Sequence, residues 1–183
     1  LNMLNTKYII HMQKDNKPGV MVNPDAFGNA WIVSNIDWVT TPNEEIAAIE
    51  NTNVKTTAIV NEEFKNVVGD FNPSVSKGTI QLTSYKPNEL IYNFNSSKEE
   101  LVVFSEIWTS KGWTMWIDGE ESPLIRADYI LRAAVVPAGN HEIMMRYEPN
   151  IWKVGNTIQL VSSLILILGL LAAIFVTYKK SAS

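Results

Sequence analysis

The sequence predicts a mainly β chain: an antiparallel β-sandwich preceded by a small α+β module and followed by one carboxy-terminal transmembrane helix. Three observations carry this. Residues 75–150 hold six strand-like runs at roughly the 8–12-residue spacing of a sandwich, with turn residues between them. Residues 1–72 mix short strands with one capped helix, and Ile158–Val176 is apolar apart from Gln159, Ser162 and Ser163. The division is therefore 1–72, 75–150 and 157–178, and 183 residues suffice to bury a core.

In the first module, KYIIHM (Lys7–Met12) reads as a strand, Lys17-Pro18-Gly19 as a turn and Val20–Val22 as a short strand. Asn23-Pro24-Asp25 turns again, before strands over Ala30–Asn35 and Ile36–Val39. Thr41-Pro42-Asn43-Glu44-Glu45 then opens a helix, because a polar cap and early acidic side chains satisfy and complement its first N–H groups. It ends near Asn51–Asn53, and TTAIV (Thr56–Val60) returns to strand.

The sandwich strands are Thr79–Ser84, Leu90–Asn95, Leu101–Thr109, Trp113–Asp118, Tyr129–Val136 and Glu142–Tyr147. Asp118-Gly119 is the sharpest turn signal, since a two-residue hairpin needs positive φ at both positions. Alternation sorts Trp113, Met115 and Ile117 onto one face and Thr114, Trp116 and Asp118 onto the other. It likewise sets Ile143 and Met145 against Glu142, Met144 and Arg146.

The 19 residues Ile158–Val176 make a helix of roughly 28 Å, close to the hydrocarbon thickness of a bilayer. Trp152 and Tyr178 sit where interfacial aromatic anchors belong. Lys179 and Lys180 follow the span, so the positive-inside tendency puts the tail in the cytoplasm and residues 1–153 outside. LNMLNTKYII lacks the basic start and long apolar region of a signal peptide, so something upstream is needed to translocate the domain, and the sequence is expected to be the carboxy-terminal piece of a longer membrane protein.

Composition excludes several chemistries. With no cysteine there is no disulfide framework, thiolate metal site or cysteine nucleophile. His11 and His141 lie far apart and read as ordinary polar side chains, so no metal site is expected. Residues 1–153 carry 13 basic and 19 acidic side chains, which argues against a nucleic-acid partner. The pairs Glu44-Glu45, Glu62-Glu63, Glu99-Glu100 and Glu120-Glu121 stand beside turn or helix-start signals, where solvated charge is normal. No catalytic residue and no cofactor is predicted. Asn95-Ser96-Ser97 fits an N-glycosylation acceptor, which matters only in a host with that machinery.

The candidate ligand-binding residues are Trp108, Trp113, Trp116, Arg126 and Arg132. Flat indoles beside polar groups can bind the apolar faces of sugar rings, although tryptophans more often fill a core or a join between modules. Arg126 and Arg132 on one strand face could hold a carboxylate or phosphate; the plainer reading of RADYILR is an ion-pair ladder with Asp128 between them.

The stretch GWTMWIDGEESPLIRADYILRAAVVPAGNHEIMMRYEP, Gly112–Pro149, resembles the carboxy-terminal region of the bacterial YfhO family of multi-pass membrane proteins. The resemblance rests on Gly112-Trp113, Asp118-Gly119, Arg126-Ala127-Asp128, Leu131-Arg132-Ala133, Pro137-Ala138-Gly139-Asn140-His141, Tyr147 and Pro149. LNMLNTKYII, NPDAFGNAWIV and VGNTIQLVSS extend it over nearly the whole chain. It implies a likeness to glycosyltransferases of the GT-C type, which use polyprenyl-phosphate sugars to decorate envelope polymers. Their catalytic acidic residue belongs to an early loop, so none is carried onto this chain. Asp128 stands where family members often show Asn.

The expected function is a non-catalytic extracytoplasmic domain that positions or recognises a glycan or polymer acceptor at the bacterial cytoplasmic membrane. The alternative is a structural or docking domain without a ligand, and an independent hydrolase ranks last. The expected partners are the bilayer, the upstream spans and an envelope glycan.

Overall fold

The computed structural model describes residues 1–13, 16–75 and 77–181, which fall into two compact units, Leu1–Tyr147 and Glu148–Ser183. In the first, a 3-10 turn over Asn2–Leu4 precedes β1 (Tyr8–Met12), β2 (Pro18–Val22), β3 (Ala30–Val33) and β4 (Asn35–Val39). Helix α1 (Pro42–Asn51), β5 (Thr57–Asn61) and the short helix α2 (Lys65–Val68) follow. Then come β6 (Thr79–Lys86), β7 (Glu89–Ser96), β8 (Glu100–Ile107), β9 (Trp113–Ile117) and β10 (Glu120–Ser122). The unit closes with β11 (Ile125–Ala127), β12 (Leu131–Val136) and β13 (Gly139–Tyr147).

Among the described residues the strands form three sheets: β1-β2, β10-β9-β13-β7-β6 and β3-β8-β12-β11-β5-β4. The five-stranded sheet is antiparallel throughout. In the six-stranded sheet β4 and β5 run parallel, because α1 carries the chain from one to the other. Thr41 caps α1: its hydroxyl accepts the Glu44 N–H at 3.3 Å while Glu44 Oε2 accepts the Thr41 N–H at 3.1 Å.

The two larger sheets pack face to face over Leu90, Tyr92, Phe94, Met115, Ile143 and Met145 from one and Val102, Phe104, Ala134 and Val136 from the other. Tyr92 meets Phe104 edge to face at 5.0 Å. The other face of the six-stranded sheet is covered too. Leu101, Val103, Leu131 and Ala133 form a second core with Trp31, Val60 and Val68, and Phe27, Phe64 and Phe71 pack on it. A third layer thus explains why Glu100–Phe104 and Leu131–Ala134 are buried without alternation.

Residues 1–72 and 75–150 share this second sheet, since β3 pairs with β8 and β5 with β11. A boundary near residue 73 therefore runs through one compact unit, contrary to the sequence expectation of a separate module. Turn chemistry suggests the break, but hydrogen bonding across the sheet edges overrides it. The short strands β10 and β11 were also not expected. They flank Pro123-Leu124, where the chain leaves one sheet for the other.

The second unit consists of helix α3 (Asn150–Ser181). Its stretch Val154–Phe175 is long and apolar enough to cross a membrane, with a mean hydropathy of 2.5. Ser162 and Thr177 donate their hydroxyls to the Ile158 and Ala173 carbonyls, one turn back, which hides both polar groups within the helix. The side chains of Trp152 and Tyr178 lie outside the described residues.

Candidate functional site: the outer face of the five-stranded sheet

Strand alternation decides which side chains this sheet offers to water. In β7, Leu90, Tyr92, Phe94 and Ser96 point inward and are buried, leaving Ile91, Asn93 and Asn95 outward. The registers with β6 and β13 align the outward residues into rows. Thr79, Asn95 and Asn140 form one, with the Asn95 amide donating to Asn140 Oδ1. Gln81, Asn93 and Glu142 form the next. Ser84, Ile91, Met144, Trp116 and Glu121 form the third, crossing all five strands. Lys86, Glu89, Arg146 and Thr114 close the face.

The first two rows line an open hollow of about 520 Å³. Its exposed side chains are a hydroxyl, four primary amides and one carboxylate, all able to bond hydroxyl groups. Trp116 is half-buried and one row away, roughly 12 Å from Asn93 by ordinary strand spacings. An apolar ring and a field of amides thus share one face of the sheet.

The Asp118-Gly119 turn borders this face. Its φ angles of 51° and 88° make the expected left-handed hairpin turn between β9 and β10. Asp118 Oδ1 accepts the Glu142 N–H at 2.9 Å, and Oδ2 meets His141 Nδ1 at 2.6 Å. His141 Nε2 lies 3.1 Å from the Ala138 carbonyl, so both ring nitrogens face oxygen acceptors and the imidazolium is favoured. The Asp118 carboxylate accordingly holds the His141 pKa above its ordinary value, and that same bond lowers Asp118. The sequence reading of His141 as an ordinary side chain missed this pair, which only the β9–β13 register brings together.

The three tryptophans do not form one platform. Trp113 turns to the inner side of β9 and packs on the sandwich core. With Trp108 it lines a cavity of only about 160 Å³, whereas Trp116 stands on the opposite face. Trp108 and Trp113 each carry one of the candidate arginines. Arg132 lies 4.0 Å from the Trp113 ring centre and Arg126 6.0 Å from that of Trp108.

Neither arginine forms the ladder through Asp128. Arg126 Nη2 pairs with Glu45 Oε2 at 3.1 Å and approaches Glu63 Oε1 at 3.6 Å. Arg132 is buried, and its Nε donates to the Ile107 carbonyl at 3.0 Å. Burial pulls its guanidinium below its usual pKa, against the opposing field of Glu106. Asp128 is buried in a left-handed turn, φ 49°, where its Oδ1 accepts the Ile59 N–H at 2.9 Å and its Oδ2 has no hydrogen-bond partner among the described residues. Burial pushes this carboxyl up to about 7, against the Ile59 N–H and with Glu45 adding to the rise. The strand expected from Tyr129 begins instead at Leu131, since Tyr129 is also left-handed at φ 70°.

Two of the adjacent-carboxylate pairs likewise depart from the solvated reading. Glu45 and Glu100 are fully buried: Glu45 holds Arg126 and the Tyr129 N–H, and Glu100 accepts the Ser96 hydroxyl at 2.8 Å. Both bind parts of the fold together rather than facing a common bond.

A family model described as the bacterial membrane protein YfhO matches residues 45–159. A curated relative, the uncharacterized protein YfhO of Bacillus subtilis (strain 168), is 28% identical over 100 residues. That match covers 55% of this chain and 11% of the relative, so the chain corresponds to a small part of that protein. No solved structure matches. The matched stretch exceeds half of the 183 residues, and the chain belongs to the YfhO family.

Proposed function

We propose that the β-rich unit of this YfhO-family membrane protein recognises or positions a glycan or polymer acceptor, without catalysing a reaction itself. The observation that carries the proposal is the outer face of the five-stranded sheet. Its registers align Gln81, Asn93, Asn95 and Asn140 beside a row containing Trp116. Amides can exchange hydrogen bonds with sugar hydroxyls, and the indole can cover an apolar ring face. Trp108, Trp113, Arg126 and Arg132 then have structural roles elsewhere in the fold, and Trp116 is the residue of the candidate set that meets ligand.

In this reading the unit lies outside the cytoplasm and α3 anchors it, with Lys179 and Lys180 on the cytoplasmic side. The acceptor would be presented to a glycosyltransferase-like membrane core in the rest of the protein. Titrating the full chain in detergent micelles with a panel of envelope glycans should quench tryptophan fluorescence saturably. Trp116→Ala should abolish the response. No saturable change across the panel would remove the proposal and leave a bracing or docking role.

A further inference from the structure

The β1–β2 hairpin stands outside both hydrophobic cores, yet one of its faces is wholly apolar. Tyr8, Ile10 and Met12 lie directly opposite Val22, Val20 and Pro18. Tyr8, Ile10, Met12, Val20 and Val22 are each at least 63% exposed. The hairpin is fastened at its base. Asn23 donates its side-chain amide to Asn2 Oδ1 at 2.9 Å and the Thr6 carbonyl at 2.8 Å, and its N–H to the Lys7 carbonyl at 2.8 Å.

A two-stranded ribbon gains little stability in water, and a contiguous exposed apolar face marks a contact surface. Charge identifies the partner. Residues 1–24 carry Lys7, Lys14 and Lys17 against Asp15, a net +2, whereas residues 25–147 carry nine basic and 17 acidic side chains, a net −8. The positive segment of a negative unit is thus also the one with an uncovered apolar face. Tyrosine, aliphatic side chains and lysines together are the composition that settles at the boundary between lipid headgroups and acyl chains. Anionic headgroups add an electrostatic attraction for lysines held near the surface.

We infer that the β1–β2 hairpin is a lipid-contacting element, which seats Tyr8, Ile10, Met12, Val20 and Val22 in the interface of an anionic bilayer. The depth is limited to that interface. Among the described residues only β1 and β2 pair here, so the outer edges keep backbone groups that need water and cannot enter the hydrocarbon. Lipid contact of this kind does not depend on glycan binding, and it uses residues outside the family-matched stretch.

The chain has no native cysteine, so single labelling sites are available. Ile10→Cys, and Val20→Cys as a second position on the same face, would carry an environment-sensitive fluorophore. Thr83→Cys, exposed on the five-stranded sheet, is the control. The labelled full chain is reconstituted in phosphatidylglycerol–phosphatidylcholine vesicles. The hairpin labels should be quenched by shallow spin-labelled lipid and shielded several-fold from aqueous iodide relative to Thr83→Cys. The lipid quenching should fall several-fold in pure phosphatidylcholine and with Lys7 and Lys17 replaced by Gln. Iodide access equal to the control would overturn the inference. So would shielding without lipid quenching, which would mean that protein covers the face, or quenching that ignores headgroup charge.

Discussion

Glu45 and Arg126 pair across 81 residues of chain, with Arg126 Nη2 3.1 Å from Glu45 Oε2. The second Glu45 oxygen accepts the Tyr129 N–H at 2.9 Å, so one buried carboxylate ties α1 to the β11–β12 turn. Glu45 is fully buried, whereas Arg126 keeps some exposure and has Glu63 at 3.6 Å, so losing Glu45 removes two bonds and leaves the Tyr129 N–H without its acceptor. Glu45→Ala is therefore expected to destabilise the chain by about 2 kcal/mol, read as a lowered urea midpoint.

Asp128 gives the fold a pH dependence. Its folded pKa, about 7, lies above the ordinary value of 3.8, so the folded chain binds the extra proton between those limits. Stability from the neutral acid is complete below the ordinary value and is lost as pH rises through about 7. An asparagine in its place keeps an oxygen for the Ile59 N–H, carries no charge and tolerates the left-handed backbone. Asp128→Asn should raise stability by about 1–3 kcal/mol at pH 8, with little effect near pH 4, and flatten the profile between them.

His141 loses its contribution over a different range. A raised imidazolium pKa contributes stability that is complete below the ordinary histidine value and disappears as pH rises through the folded value. An NMR titration of His141 in the detergent-solubilised chain should give a midpoint above 6.5. Asp118→Asn, which retains a residue suited to the positive φ, should bring that midpoint down.

Trp113 and Trp116 should separate stability from recognition. Trp113 lies against Arg132 and beside Tyr147, at 5.5 Å between ring centres, so Trp113→Ala should cost about 3 kcal/mol. Trp116→Ala, on the outward face, should cost less than about 1 kcal/mol while removing glycan binding. Denaturant melts and fluorescence titrations on both variants distinguish the two roles.

Local chemistry was legible in the sequence. The helix start at Thr41 with its early acidic side chains, the Asp118-Gly119 hairpin and the alternation in β9 and β13 each depend on residues within a few positions of one another. The apolar run of α3 needed only its length. What remained hidden depended on partners far along the chain. Glu45 looks solvated beside Glu44 until Arg126 and Tyr129 are folded against it. The charged series around Asp128 resembles a strand ladder, but its left-handed turn aims the carboxylate at Ile59 instead. Trp116 was separable from Trp113 by alternation alone, whereas the amide rows beside it required the β6–β7–β13 registers.

Recognition of an envelope polymer requires α3 to cross the membrane with the β-rich unit outside the cytoplasm. The direct measurement is labelling of Thr83→Cys and Ser181→Cys in intact cells with a membrane-impermeant maleimide. Thr83→Cys should react in intact cells, and Ser181→Cys only after permeabilisation. Labelling in the reverse order, or of both sites before permeabilisation, would contradict the arrangement.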